Sequence, residues 1–153
     1  MGASGWEYVV SYQQDLGAAL DRLRREVFAS GDFVKPSGVF DLPDPGSVDD
    51  LTEQEEYWEF MGESGTHSII DVVSVAPADS AGPQDYGTIR PLSDTEHTEL
   101  FGTAQPSRAD YDRLAGTERL HDYVTAGRWT GRAAVLWDNA TPAEIVFWGY
   151  SGD

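Results

Sequence analysis

His67 and Asp71 stand four residues apart in "GTHSIIDVV", and Glu63 lies just upstream between Gly62 and Gly65. An imidazole with two carboxylates can pass a proton or hold a metal ion. On an extended strand, side chains four residues apart point to the same side. If this stretch is a strand, His67 and Asp71 share a face, with Glu63 in a glycine-flanked turn nearby. The spacing fits no strong metal signature, neither H-E-x-x-H nor the regular acid spacing of an EF-hand loop. His67 is therefore read first as a strand-end cap or a core hydrogen-bonding group, and only second as part of an acid–base or metal site. His97, next to Glu96, and His121, three residues after Glu118, read as solvated helix residues. No cofactor or metal is expected.

Other chemistries lack their residues. With no cysteine there is no thiolate nucleophile, no disulfide frame and no thiolate zinc site. "GYSGD" places Ser151 between glycines but is one residue short of a nucleophile elbow, and no helix follows it. There is no phosphate-binding G-x-x-x-x-G-K and no G-x-G-x-x-G, and Lys35 is the sole lysine.

A binding surface is the stronger expectation. The 27 acids against 10 bases give a formal net charge of -17, which repels phosphate backbones and anionic membranes. From Pro36 to Ile89 there is no lysine or arginine, while the C-terminal half carries six arginines from Arg90 onward. A one-signed segment creates a directional field that speeds encounter with a basic protein. Within it, "VDDLTEQEEYWEFM" reads as a helix from Val48 to Met61. Helical spacing puts Leu51, Gln54, Tyr57, Trp58 and Met61 on the core side and Asp49, Glu53, Glu56 and Glu59 on the other. Phe60 falls among the carboxylates, which suggests an aromatic anchor inside a charged rim. The expected partner-binding residues are thus Asp49, Glu53, Glu56, Glu59 and Phe60. The expected function is a non-catalytic acidic protein that blocks or sequesters a basic partner, such as a toxin or nuclease, as an immunity protein or antitoxin-like inhibitor does. The alternatives are a small enzyme built on His67, Asp71 and Glu63, a DNA-mimic inhibitor, and a domain without a specific partner whose acidity serves solubility or salt tolerance.

These residues need elements to position them. "WEYVVSY" alternates as a half-buried strand. Asp15 caps a helix to about Ser30 with a stripe of Leu16, Leu20, Leu23 and Val27, leaving Arg22, Arg24 and Arg25 outside. "GDFVKPSGVFDLPDPG" is loop and turn. "HSIIDVVSVA" and "YGTIRPL" read as strands. Ser93 with Glu96 forms a capping box for a short helix, and a helical region from Ser107 to about Gly127 is interrupted at Gly116. "GRAAVLWD" and "AEIVFWGYS" form an antiparallel hairpin, apolar on both faces, as in the middle of a sheet covered on both sides or in a strongly curved one. The composition, 40% hydrophobic and 24% charged, suits an ordinary globule. The expectation is one α+β domain over residues 1–153, with a mostly antiparallel sheet and helices packed on it. "MGASGWEY" has no basic stretch followed by an apolar run, and no apolar run approaches a membrane span, so a cytoplasmic location is expected.

"GTHSIIDV", "AEIVFWGYSGD" and the opening "MGASGWEYVVSYQQDLGAALDRLRREVFASGDF" resemble a family of small acidic actinobacterial proteins. The resemblance implies a bacterial, intracellular, single-domain protein. It carries no activity and gives no residue a catalytic role.

Overall fold

A long C-terminal hairpin organises the molecule. In the computed structural model, which describes residues 3–80 and 82–153, strands β4 (Thr130–Asp138) and β5 (Thr141–Tyr150) pair antiparallel. Asn139 and Ala140 turn the chain at φ of 48° and 67°, the two left-handed residues that a tight primed hairpin turn requires. β1 (Gly5–Ser11) pairs antiparallel with β5, and on the other side β3 (Thr88–Pro91) and β2 (Ser74–Val75) add parallel to β4, giving the order β1-β5-β4-β3-β2. The long ladders are antiparallel, so the α+β reading with a mostly antiparallel sheet holds. By direction, however, β5 alone opposes the other four strands.

Alternation along the hairpin divides the core in two. Ala133, Ile145 and Phe147 face one cluster, and Ala134, Leu136, Val146 and Trp148 face another. The first is closed by α1 (Leu16–Ser30) through Leu20, Leu23 and Val27, together with Leu51, Tyr57, Phe60, Ile69 and Ile70. The second is closed by Leu100 of α5 (Asp94–Phe101), Tyr111 of α6 (Arg108–Asp112) and Leu120 of α7 (Glu118–His121). A sheet covered on both faces is what two-sided apolar strands demand. Trp6, Gly149 and Gly131 form a row across three strands, and a Cβ on either glycine would come within 2.7 Å of the Trp6 ring. The two missing side chains make the slot that the indole fills.

Three helices, α1, α5 and α6, begin on side-chain caps. Asp15 accepts from the Ala18 amide, and Gly31 closes α1 at a φ of 74°. Both halves of the Ser93–Glu96 capping box form, and Ser107 with Asp110 makes a second one. Gly116, at a φ of 72°, separates α6 from α7.

Three expectations are corrected. The continuous helix over Val48–Met61 is instead α3 (Asp50–Glu53), a 3-10 turn (Glu55–Tyr57) and α4 (Trp58–Glu63). The break lies at Gln54, whose backbone is extended. It shifts the helical phase so that Leu51, Tyr57 and Phe60 all turn inward, which no straight helix allows at spacings of six and three. The strand over "HSIIDVVSVA" shrinks to the two residues of β2, preceded by a 3-10 turn, Ile69–Asp71, that Ser68 caps. Ile69, Ile70, Asp71 and Val72 are buried in succession, and a turn sunk between α1 and the sheet explains an apolar run on both faces as well as an inner strand does. Arg24 is buried rather than outside the α1 stripe. Its guanidinium donates to the Ile70 carbonyl at 3.2 and 3.3 Å and holds that turn to the helix. The remaining described element, α2 (Pro36–Val39), is a single turn in the proline-rich loop.

Candidate functional site

The acidic segment presents its carboxylates but not its expected anchor. Glu53, Glu56 and Glu59 are exposed, and Glu55 beside them is too. Asp49, half-exposed before α3, pairs with Arg25 at 3.2 Å. Phe60 is 0% exposed, with its ring edge-on to Phe40 at 5.8 Å, so Phe60 is a core residue and not a surface anchor. The same change of phase turns Trp58, expected in the core, to the outside at 57% exposure.

Trp58 is not an isolated exposed aromatic. Of the five exposed large hydrophobic residues among the described residues, three (Trp58, Val73 and Tyr86) line one groove of about 420 Å3, together with Leu51, Met61 and Trp129. Its framework is the N-terminal edge of the three parallel strands: Val73 precedes β2, Tyr86 and Gly87 precede β3, and Trp129 precedes β4. Backbone hydrogen bonds from Val73 to Gly87 (2.8 Å) and from Gly87 to Trp129 (2.6 Å) tie the three approaches together. Leu51, Thr52, Trp58, Met61 and Gly62 from α3 and α4 close the other side.

Both indoles are anchored by hydrogen bonds. The Trp129 indole donates to the Met61 carbonyl at 2.9 Å, the Trp58 indole to the Thr52 carbonyl at 3.2 Å, and Tyr86 meets Trp129 edge to face at 5.4 Å. Trp129 holds a φ of 53°, a left-handed conformation that costs a bulky residue about 1 kcal/mol or more. Its indole packs where Gly152 has no side chain, since a Cβ there would fall 2.0 Å from the Trp129 nitrogen.

Asp71 is the buried, ionisable member of the groove lining. Its Oδ1 accepts from the Thr66 amide at 2.7 Å and the Thr66 hydroxyl at 2.8 Å. Its Oδ2 has no hydrogen-bond partner among the described residues. Burial pushes the Asp71 carboxyl up to about 6, against the pull of the Thr66 donors, the nearby Ser151 hydroxyl and His67. Gly65, at a φ of 66°, leaves the space that the carboxylate occupies.

His67 and Asp71 do not share a strand face. His67 adopts a φ of 56° and approaches Asp153 at 3.6 Å and the Ser4 hydroxyl at 3.4 Å. Ser4 commits its hydroxyl proton to Asp153 at 2.7 Å, so no nucleophile is engaged by the imidazole. Burial opposes ionisation of Asp153, but the Ser4 hydroxyl and amide outweigh it and hold that carboxyl below the usual range. Glu63 is exposed at the end of α4. Among the described residues, no group of three or more His, Cys, Asp or Glu side chains could hold a metal ion.

The other two histidines are not solvated helix residues. His97 is buried, with its Nδ1 2.8 Å from the Ser93 carbonyl. His121 reaches Glu7 at 3.3 Å. Glu7 also accepts from the Tyr111 hydroxyl at 2.6 Å and the Gly116 amide at 2.9 Å, and burial first, then this bond, raises the Tyr111 hydroxyl. This network joins β1 to the α6–α7 corner. The Arg132–Glu96 pair at 2.8 Å, with Arg132 also donating to the carbonyls of Arg90 and Tyr123, anchors α5 to the sheet. The sequence signal for both was weak, because the partners lie 36 to 114 residues apart.

No helix among the described residues is long and apolar enough to cross a membrane. No protein-family model, no curated protein and no solved structure matches the chain.

Proposed function

We propose that this is a non-catalytic binding protein, acting in the cytoplasm, whose acidic face blocks or sequesters a basic protein partner, as an immunity protein or antitoxin-like inhibitor does. One observation carries the reading: Trp58 stands exposed at an aromatic groove, in a segment that presents Glu53, Glu55, Glu56 and Glu59 on either side of it. Interfaces concentrate affinity in a few large, semi-rigid aromatics surrounded by polar contacts. Trp58 takes the part first expected of Phe60. Glu53, Glu56 and Glu59, with Asp49 at the edge, supply attraction at long range and the rim at contact.

The charge around the groove is free to act outward. Among the described residues, Asp49 is the only acid between Pro36 and Ile89 in a salt bridge with the chain's own arginines. Arg22, Arg108, Arg113 and Arg132 pair with acids outside that segment, and Arg25 divides itself between Asp21 and Asp49. The exposed Arg128, next to Trp129, is the base adjoining the groove in sequence.

The test is a pull-down from a lysate of the protein's own cells at low and moderate salt, using the natural chain, the Glu53→Lys/Glu56→Lys pair and Trp58→Ala as baits. A basic protein held by the natural chain and lost by both variants supports the reading. With that partner purified, charge reversal should slow association about tenfold and flatten its salt dependence, whereas Trp58→Ala should mainly speed dissociation. Equal capture by all three baits would remove this face from the account.

A further inference from the structure

We propose that the groove between Trp58, Tyr86 and Trp129 seats a single arginine side chain of the basic partner, with the guanidinium against the aromatic walls and Asp71 as its counter-ion. The proposal rests on the reading of a basic protein partner and specifies the residue that partner inserts.

Four observations converge on it. The walls are aromatic, and both tryptophan N–H groups are spent on carbonyls of this chain, so the indole faces rather than their polar edges remain for a ligand. Aromatic faces attract cations through the ring quadrupole, and a planar guanidinium also stacks on them. Second, the lining includes a carboxylate that is 4% exposed, with one oxygen on the Thr66 donors and the other without a close hydrogen bond among the described residues, the Ser151 hydroxyl lying nearby. A buried anion lacking a counter-charge is costly, and a cation arriving from outside relieves that cost. Third, no cation among the described residues forms a salt bridge with Asp71. Arg24 is committed to the Ile70 carbonyl, and His67 lies nearer Asp153 and Ser4. Fourth, the segment from Pro36 to Ile89 that supplies most of the lining has no basic residue to repel the ligand. A larger hollow of about 620 Å3 against Asp94, Thr98, Gln105 and Trp137 contains one aromatic residue and lacks the buried carboxylate.

Arginine fits better than lysine for a geometric reason. The fork of a guanidinium can reach a carboxylate while its plane lies on a ring, and it is more weakly hydrated than an ammonium. A lysine would bring its charge into the same space with a full hydration shell to lose.

The experiment follows the indole N–H signals of Trp58 and Trp129 by NMR at low salt while three capped tripeptides are added: Gly-Arg-Gly, Gly-Lys-Gly and the neutral isostere Gly-citrulline-Gly. A capped tetralysine peptide is titrated in parallel. The expected result is saturable movement of both indole signals with the arginine peptide, at least fivefold weaker binding of the lysine peptide and at least tenfold weaker binding of the citrulline peptide. Asp71→Asn should weaken the arginine peptide about tenfold. Trp58→Ala, a change at an exposed site that leaves the core intact, should do so as well, which keeps the test decisive should Asp71→Asn not fold. Equal affinity for arginine and citrulline, or no indole movement with the arginine peptide, would overturn the proposal. If tetralysine then still shifts the amides of Glu53–Glu59, the acidic-face reading stands without it. If no basic peptide binds at all, both fall.

Discussion

At the scale of single residues, Asp71 makes the sharpest claim. It is held by Thr66 on one oxygen, buried, and raised to about 6 from its ordinary 3.8. The folded state therefore binds a proton more tightly than the unfolded chain. The stability that this proton contributes is fully present below about pH 4 and is lost as pH rises through about 6. A shift of that size corresponds to roughly 3 kcal/mol. Asp71→Asn keeps a carbonyl oxygen for the Thr66 donors and removes the charge. The variant should be more stable than the natural chain at pH 8, by roughly 1 to 3 kcal/mol, and the two should converge near pH 4. Urea midpoints across that range decide it, and a difference that does not change with pH would mean that burial of the charge is not what raises the group. The sequence singled out Asp71 for a wrong reason, a shared strand face with His67. What made it notable was an acid inside an apolar run, and burial is the general lesson of that pattern. The exchange between Phe60 and Trp58 shows the limit at this scale. Two aromatics two residues apart cannot be assigned to inside and outside until the helical phase is known, and a single extended residue, Gln54, sets that phase.

At the scale of elements, legibility followed local chemistry. The Asp15 cap, the Ser93–Glu96 capping box and the interruption at Gly116 read correctly because their signals are local, whereas the Ser107–Asp110 box was not read. The hairpin read correctly because its alternation spans two strands and its apolar faces report two covers. What failed was the interval from Val48 to Ala76, where tertiary burial overrides a pattern equally compatible with helix, turn or strand. The parallel docking of β2 and β3 on β4 also depends on long connections that no local signal announces. The Trp6 slot, by contrast, is an element-scale device open to direct test. Gly149→Ala places a Cβ 2.6 Å from the Trp6 ring and 2.4 Å from the Thr130 carbonyl, and Gly131→Ala is nearly as close to its neighbours. Either should cost about 2 kcal/mol or more, since neither backbone nor indole can yield without disturbing three strands. Gly38→Ala, where a Cβ meets nothing within 4 Å and which lies inside α2, should be neutral or slightly stabilising. Denaturant unfolding of the three variants separates the cases, and equal stability would show that Trp6 has room to shift.

At the scale of the whole molecule, the charge of -17 has two consequences with opposite salt dependence. Like charges repel within the folded chain more than in the expanded one, so added salt should stabilise the fold. Going from about 10 to about 300 mM salt shortens the screening length from roughly 30 to 6 Å, and the melting temperature should rise by a few degrees. Attraction to a basic partner should weaken over the same range. Solubility alone predicts only the first effect. The Glu53→Lys/Glu56→Lys pair separates the two roles because it acts on both with different signs: it removes repulsion from the one-signed segment and so should raise stability at low salt, while it should cost association. Thermal melts and association rates of this variant and the natural chain, each at low and high salt, give the decisive comparison. A gain in stability with association unchanged would place the acidity in the service of solubility. A gain in stability accompanied by slower association would mean that the segment bears an internal electrostatic cost for a field directed at something outside it.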